Sequence, residues 1–472
     1  MPRATTSSSR SSFRMGRVQG YLRGRVWYLC YHENGQRRRP RVGRSLEAAR
    51  RVAAQTNAQL ESGDAAMLTF EPIAIPALRT RWLEHHEHVL RSSIHTISRY
   101  RTATDHLINF LRDVRPVRLA SLFSARDAEA LVRYLRTIEV APNGHKNSAR
   151  RPLLDKGVKY ILECCRALFG YAARRRHLPP YAENPFTAIE VDRIPIEQSK
   201  PIVLLTPEQE VNFLEACDDW QFPLFLTFML TGLRLGELCH LLLPNDLDLD
   251  ARVLRVRNRP QLGWQVKTRS EREIPLVPVL ADVLRVAVGE RRCGPVFRQR
   301  RCARLGYTPV LDGVPESALI EEAAARTATE TAARSASLTR VERQAILCTI
   351  WRDMAALKED WVRTEFIRVC GVIGRANLTA PKVLRHGFAT ALQDANVDPL
   401  VRNVLMGHAP AIGGGPGHGL AMTAVYSHTR PATMRRQLEN AMAGRRASII
   451  AAARLKRQVE DDLHAVRTCA TS

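Results

Sequence analysis

Five short segments in the second half of the chain decide how its fold is interpreted. They read TGLRLGEL at residues 231–238, QVKTR at 265–269, KVLRHGFAT at 382–390, LMGH at 405–408 and TAVYSH at 423–428. Each segment places side chains that can bind or attack a phosphate among mostly small or apolar neighbours. The arginines, lysines, histidines and tyrosine of these segments are therefore the candidate functional residues.

These residue types suit attack on a phosphodiester. A guanidinium is planar and permanently charged, so it can donate paired hydrogen bonds to the phosphate oxygens that gain charge during attack. A tyrosine hydroxyl, with an ordinary pKa of about 10, is a poor nucleophile at neutral pH, and nearby cations or a histidine must help it lose its proton. A covalent link to tyrosine keeps the bond energy of the phosphodiester, so no ATP is needed. The sequence agrees, because it contains no G-x-x-x-x-G-K-[ST] loop.

In this order, the five segments closely resemble the tyrosine recombinases, the phage-type integrases. By motif, the resemblance covers residues 206–440. It implies a site-specific DNA recombinase (an integrase) that cleaves and rejoins duplex DNA through a 3′-phosphotyrosyl intermediate, to integrate or excise a mobile element without metal or other cofactor. It also implies a homo-oligomer on double-stranded DNA, a tetramer in the synapse, and is compatible with an accessory DNA-bending protein.

Transferred position by position, the resemblance gives each segment a catalytic residue. Tyr426 would be the nucleophile, and Arg234 and Arg385 would clamp the scissile phosphate. Lys267, expected at the tip of a β-hairpin, would be the general acid that protonates the leaving 5′-hydroxyl. An ammonium on a long flexible stem can follow a departing oxygen.

Two positions depart from the family pattern. Lys382 stands where the family usually has histidine, which leaves its part in proton transfer open. His408 would take the other phosphate-side position, but it lies eighteen residues before Tyr426, about twice the usual family spacing. His418 is the rival for this position, and the local pattern of LMGH favours His408. The Gly/Pro-rich residues 409–417 predict a longer loop for the nucleophile, free to enter its own site or a neighbour's.

Taken singly, the same residues are compatible with simpler roles. Arg234 could be a buried ion-pair partner of Glu237, and Tyr426 a core aromatic with a satisfied hydroxyl. His408 could cap a helix end, and Lys267 could be one of many exposed lysines. Three alternatives also stand for the whole protein: a resolvase or transposon-type recombinase, a catalytically silent DNA-binding protein on the same scaffold, or a relaxing topoisomerase. The joint order of the segments favours the catalytic interpretation.

Composition supports a nucleic-acid partner. The 472 residues carry 71 Lys+Arg against 47 Asp+Glu, a net charge of +24, which indicates two or three domains and a polyanionic ligand. The longest apolar stretch, residues 222–233, is shorter than the roughly 18–20 residues of a membrane-spanning helix. The N-terminus lacks the apolar region of a secretory signal, so we predict a cytoplasmic, nucleoid-associated protein. Ten scattered cysteines without a C-x-x-C pair predict reduced, mostly buried thiols.

The predicted fold class is multidomain and mainly α, with an α+β catalytic domain. Its parts are a disordered basic tail (1–15), a small β-sheet module like an arm-type DNA-binding module (16–65), a helical core-site DNA-binding domain (70–190), a linker (191–205), the catalytic domain (206–440) with a helical insertion at about 299–345, and a C-terminal helix and tail (441–472). The helical core-binding domain and the catalytic domain are expected to close around DNA.

Local patterns supply the elements. Residues 1–60 hold thirteen arginines against two glutamates, and they predict two or three strands before a helix capped by Ser45, although a solvated basic extension is the simpler alternative. Helices are predicted at 94–111 and 158–171, a capping box at Thr206, and strands at 253–257 and 263–275. Three alternating aspartates, Asp246, Asp248 and Asp250, predict a turn with outward-facing carboxylates rather than a calcium loop. A last helix at 441–466 would pack on a neighbouring protomer or return to its own domain.

Overall fold

The computed structural model describes residues 12–33, 35–62, 70–141, 147–179, 182–196, 203–334, 337–408, 430–455 and 457–458. The chain divides into two compact units, residues 1–200 and 201–472. Each unit has its own hydrophobic cores.

The first unit begins with a small antiparallel sheet and a helix. Its strands are β1 (Ser12–Met15), β2 (Val18–Arg23), β3 (Val26–Glu33), β4 (Gln36–Arg38) and β5 (Arg41–Gly43), in the order β1-β2-β3-β4 with β5 also on β3. The sheet has five strands instead of two or three, because β1 forms from residues placed in the tail and residues 36–43 form two strands. Helix α1 (Leu46–Ser62) follows, and the predicted Ser45 cap is confirmed by its Oγ, which accepts from the Ala48 amide at 3.3 Å.

The rest of the first unit is helical around a separate core. It comprises α2 (Ile75–Glu84) with a π-helical turn (His85–Val89), α3 (Ile94–Asp113), a 3-10 turn (Ala120–Leu122), α4 (Ala125–Thr137), the hairpin β6 (Glu139–Val140) and β7 (Arg151–Pro152), α5 (Asp155–Arg174) and a 3-10 turn (Val191–Arg193). The helices predicted at 94–111 and 158–171 are confirmed. Trp82, Phe110 and Phe169 are among the side chains that fill the core.

The second unit packs helices around a small three-stranded sheet. It starts with α6 (Pro207–Glu215), α7 (Gln221–Thr231) and α8 (Leu235–Cys239), followed by β8 (Leu242–Leu243), β9 (Leu247–Asp248), β10 (Val253–Val256), a 3-10 turn (Pro260–Leu262), β11 (Arg272–Pro275), α9 (Pro278–Val288) and β12 (Gly294–Pro295). The sheet order is β11-β10-β9, and β8 pairs with β12. The capping box is confirmed, since the Thr206 side chain accepts from the Gln209 amide and the Gln209 side chain from that of Thr206.

The remaining helices are α10 (Arg300–Arg304), α11 (Glu316–Arg334), α12 (Arg340–Asp353), α13 (Glu359–Val372), α14 (Lys382–Asp394), α15 (Pro399–Met406), α16 (Pro431–Ala443) and α17 (446–455). We call α10 to α12 the helical insertion. It runs past residue 345 to Asp353, because Leu347, Ile350 and Trp351 bury one face of α12.

Three expectations for this unit were wrong. The strand predicted at 263–275 forms only at 272–275, because Gly263 takes a φ of +73° after the 3-10 turn and the chain leaves the sheet. Asp246 is fully buried and accepts from Arg259 at 2.7 Å, so its carboxylate does not face outward. The helix predicted at 441–466 is interrupted at Gly444, and α17 packs Ala447 and Ala451 into the core of its own domain, while residues 459–466 lie outside the described residues.

Two general expectations can be compared with the described residues. None of their helices is both long and apolar enough to cross a membrane. Within the described part of the chain the cysteines are free thiols, most of them buried.

Candidate active site

Helix α7 delivers Arg234 to the surface of the second unit. Every residue of α7 is buried, and the helix ends at Gly232, whose φ is +60°. A Cβ on Gly232 would lie 2.2 Å from the Phe388 ring of α14, so the end of α7 approaches α14 so closely that only glycine fits. After Leu233 returns to the core, Arg234 caps α8 with its side chain 23% exposed.

Helix α14 supplies Arg385 from its first turns. Leu384, Phe388 and Leu392 are buried, and this face fixes the helix against the core. Arg385 is only 7% exposed and donates to the carbonyl oxygens of Gly232 and Met406. The Gly232 contact joins the ends of α7 and α14.

The C-terminal end of α15 gathers three arginines. Its last carbonyls, which lack partners within the helix, each accept a hydrogen bond: Leu405 from Arg272 (3.1 Å), Met406 from Arg385 (2.5 Å) and Gly407 from Arg234 (2.8 Å). The partial negative charge of a helix C-terminus favours such cations. The three guanidiniums are thus held side by side by backbone that cannot rearrange without unwinding α15.

Gly407 should be indispensable to this arrangement. Its φ is +60°, and an added Cβ would lie 2.6 Å from Nη1 of Arg272. We expect Gly407→Ala to lower the melting temperature and to reduce cleavage of DNA at least tenfold, since left-handed backbone costs about 1–2 kcal/mol and Arg272 must also move. Gly374→Ala is the control, because φ there is +70° with no atom within 4 Å of the new Cβ. Equal effects of the two substitutions would show that the crowding at Arg272 is unimportant.

A buried carboxylate ties two of these arginines together. Glu237 is 2% exposed, accepts from Arg234 at 2.8 Å, and receives both Nη atoms of Arg272 at 3.0 and 2.7 Å. Burial acts to raise its pKa, but the hydrogen bonds from Arg272 and Arg234 outweigh burial and hold the pKa below the usual range. The ion pair foreseen as the simpler role of Arg234 therefore exists, and it orients the guanidinium toward the end of α15.

The local charge balance is strongly positive. Three arginines surround a single carboxylate, that of Glu237, which bonds to two of them. Burial together with the charge of Arg234 lowers the pKa of Arg385 to about 10. The His408 ring lies beside them, with Nε2 3.5 Å from Nη2 of Arg385. Partial burial and the neighbouring arginines lower the pKa of His408, so its imidazole is neutral at pH 7. Since Arg385 can only donate, Nε2 of His408 accepts and Nδ1 carries the proton.

The lowered pKa of His408 predicts a specific pH profile. The neutral ring persists above about pH 6.5 and is lost as the pH falls, when a second cation would form beside Arg385. The unfolded state has the higher pKa, so acid also favours unfolding through this group. We expect the cleavage rate at subsaturating DNA to hold from about pH 8 to 6.5 and to decline below, and His408→Gln to abolish that decline. His386→Gln is the control, and an unchanged decline in His408→Gln would assign it to another group.

The other predicted residues lie in different surroundings. Lys267 is exposed in the β10–β11 connection, in a turn closed by a hydrogen bond from the Arg269 amide to the Val266 carbonyl at 2.8 Å. Lys382 is exposed at the start of α14. Tyr426, His418 and the loop at 409–417 lie outside the described residues. The structure thus brings together Arg234, Arg385 and His408, and it leaves Lys267 and Lys382 on exposed positions of the same unit.

Sequence reasoning missed one member of the site. Arg272 begins β11 with an ordinary strand pattern, and nothing in the sequence distinguishes it from the many other arginines of the chain. Its side chain nevertheless donates to Glu237 and to the Leu405 carbonyl within the site.

One domain of the chain is recognised by a comparison with family models. The model described as the phage integrase family matches residues 204–430, a span that includes Arg234, Arg385 and His408. Residues 204–430 form a phage integrase family domain. The integrase domain therefore coincides with the part of the chain in which α7, α14 and α15 converge. A search of curated proteins finds no match.

Several solved structures are similar to the chain at low identity. The Tn1549 transposon integrase in complex with transposon right end DNA is 18% identical, covers 78% of this chain and 99% of its own, and has a TM-score of 0.47. A lambda integrase dimer bound to a COC′ core site is 15% identical, covers 86% of this chain and 93% of its own, and has a TM-score of 0.45. A lambda integrase tetramer bound to a Holliday junction is also 15% identical, with coverages of 84% and 98% and a TM-score of 0.45.

The cluster of Arg234, Arg385 and His408 carries positive charge and hydrogen-bond donors at a partly exposed position. Contacts with described residues engage two of the three guanidinium nitrogens of Arg234, and its side chain remains partly exposed. A neutral histidine with a proton on Nδ1 can donate to a phosphate oxygen without adding charge. Among the described residues, no group of three or more His, Cys, Asp and Glu could hold a metal ion. The chemistry available here is electrostatic clamping by fixed donors.

Proposed function

We propose that this chain is a site-specific DNA recombinase of the integrase type that works through a 3′-phosphotyrosyl intermediate. The observation that carries the proposal is the convergence of Arg234, Arg385 and His408 at the C-terminal end of α15 within a phage integrase family domain. Fixed guanidiniums that need no reorganisation stabilise developing charge best, and these are fixed by backbone carbonyls and a buried carboxylate.

The proposed reaction is a transesterification. The hydroxyl of Tyr426 gives its proton to water, its oxygen forms a bond to phosphorus, and the bond from phosphorus to the 5′-oxygen breaks. Arg234 and Arg385 hold the non-bridging oxygens, and neutral His408 adds a third donor. Lys267 gives its proton to the leaving 5′-oxygen, and Lys382 adds positive charge beside the phosphate. Rejoining reverses these steps with a 5′-hydroxyl of another strand.

Duplex DNA is the proposed partner of the whole chain. The net charge of +24 favours phosphate contacts, so binding should weaken steeply with salt. We assign the arginine-rich sheet module (16–65) to arm-type DNA and the helices at 70–190 to core-type DNA. Similar proteins have been solved as a dimer on a core site and a tetramer on a Holliday junction, which supports a homotetramer as the active assembly.

A suicide substrate tests the proposal. A nicked duplex carrying the attachment site sought beside the coding region is incubated with the full-length protein without metal or ATP. A protein–DNA adduct that survives denaturant, with the DNA mapped to Tyr426 by peptide mass spectrometry, is the expected result. A protein that shifts this DNA and a second candidate site in a gel, yet links to neither, would be a silent DNA-binding protein.

A further inference from the structure

The helical insertion shares a hydrophobic core with the base of the loop that carries Lys267. That loop, residues 257–271, connects β10 to β11 and includes the 3-10 turn Pro260–Leu262. Leu262 is fully buried in a small core with Leu319 of α11 and Trp351 of α12. This core is distinct from the main core of the domain.

Polar contacts fix the backbone of the loop to the insertion. Nε1 of Trp351 donates to the Leu262 carbonyl at 2.8 Å, and Nε2 of Gln344 donates to the Gly263 carbonyl at 2.9 Å. Both bonds go to consecutive main-chain oxygens on the path to Lys267. They therefore fix the backbone conformation of the loop and not the position of a side chain.

A buried ion-pair network holds the beginning of the same loop. Arg259 is 3% exposed and donates to Asp246 at 2.7 Å and to Glu316, the first residue of α11, at 2.8 and 3.1 Å. A guanidinium buried with two carboxylates is costly to unpair. The second helix of the insertion, α11, is thus anchored to the beginning of the loop.

An aromatic stack connects this assembly to the helix of Arg234. The Trp264 ring lies parallel to the His240 ring at 3.8 Å, and His240 meets Trp351 edge-on at 4.5 Å. His240 directly follows α8, and a Cβ on Gly236 of α8 would lie 2.8 Å from the Trp264 ring. The insertion, through Trp351, and the loop, through Trp264, therefore both pack against the segment of α8 and His240.

The contacts between the insertion and the loop end close to Lys267. Lys267 stands three positions after Trp264, so their Cα atoms lie at most about 10–11 Å apart at roughly 3.3–3.6 Å per residue. On the other side of the turn, the Asn258 side chain accepts from the Val266 amide and donates to the Arg269 carbonyl. An exposed lysine on a fifteen-residue connection is in this way confined to one region of the domain.

We infer that the helical insertion is a positioning element for Lys267, with Gln344 and Trp351 as its positioning residues. This inference rests on the proposed role of Lys267 as general acid. Gln344 and Trp351 act through the backbone at Leu262 and Gly263, which holds the lysine near the phosphate bound by Arg234. Proton transfer needs hydrogen-bond distance, so a looser loop slows the step that Lys267 serves.

The test uses a leaving group that needs no acid. The double variant Gln344→Met/Trp351→Phe removes both donors, keeps the length of the residue 344 side chain and keeps an aromatic ring at residue 351. On a nicked duplex with the ordinary 5′-oxygen, we expect cleavage to slow about tenfold, a part of the 10²–10⁴ that a general acid contributes. On the same duplex with sulfur in place of the bridging 5′-oxygen, the rate should equal that of the wild type, because a thiolate leaves without a proton.

Two further variants make the result decisive. Arg334→Met is the matched control, since Arg334 pairs with Glu330 and Glu342 inside the insertion, and it should cleave both substrates normally. Lys267→Ala should cleave the duplex with the 5′-oxygen slowly and the duplex with the 5′-sulfur at the wild-type rate. If sulfur does not rescue Lys267→Ala, the proposed acid is wrong and the inference falls with it. If sulfur does rescue Lys267→Ala, the role of Lys267 stands. A double variant that then cleaves the oxygen substrate at the wild-type rate, or both substrates slowly, overturns only the inference about the insertion. Gln344→Met by itself serves if the double variant melts early.

Discussion

Tyr426→Phe is expected to yield no covalent adduct on the nicked duplex while binding that duplex as tightly as the wild type. The substitution removes one oxygen and leaves the ring, so the charge that holds DNA is unchanged. Loss of a nucleophile in covalent enzymes lowers turnover by about 10⁶-fold, which places the variant below detection. Denaturing gels report the adduct, and a gel shift at the same salt concentration reports the binding.

The chain provides a matched control for this substitution. After residue 200 it has only two tyrosines, Tyr307 and Tyr426. Tyr307 lies just after α10, where the Arg301 guanidinium covers its ring at 3.9 Å. Tyr307→Phe should therefore form the adduct at the wild-type rate. An adduct that persists in Tyr426→Phe and disappears in Tyr307→Phe would identify Tyr307 as the nucleophile and contradict the proposed role of Tyr426.

Much of the fold was predictable because local signals agree with packing. The Thr206 capping box, the Ser45 cap and the periodic helices at 94–111 and 158–171 each depend on residues within one or two turns. Errors occur where distant partners decide the conformation. Asp246 reads as a turn residue, but it is buried because Arg259 and the amide of Leu242 supply hydrogen bonds. Similarly, the first part of the strand predicted at 263–275 does not form, and the insertion packs against Gly263 where it would begin.

The site was predictable by residue type but not by arrangement. Motif order singled out Arg234, Arg385 and His408 as candidates. The structure shows what no motif contains: Arg234 and Arg385 donate to the carbonyls at one helix end, and His408 lies beside Arg385. Arg272 was missed because its function is to fill the space between Glu237 and Leu405, residues far from it in sequence. The catalytic roles of all six residues, Arg234, Lys267, Lys382, Arg385, His408 and Tyr426, stay predictions.

Arg385→Lys is expected to lower adduct formation by about 100- to 1,000-fold, the equivalent of roughly 2.7–4 kcal/mol of transition-state stabilisation. Lysine keeps the charge but has a single ammonium, which cannot reach the Gly232 and Met406 carbonyls and a phosphate together. The loss should appear in the single-turnover rate at saturating DNA. Binding should change little, because the many other cations of the chain provide most of the affinity.

The same substitution must also cost stability, because Arg385 is buried and one carbonyl would lose its partner, at about 1–3 kcal/mol. Arg445→Lys separates the two effects. Arg445 is equally buried at 8% exposure, and it donates to the Met229 carbonyl and pairs with Glu210. Both variants should therefore melt earlier, but only Arg385→Lys should lose cleavage at a temperature where each is folded. If cleavage falls in proportion to melting temperature in both, Arg385 serves the fold and the phosphate clamp must lie elsewhere.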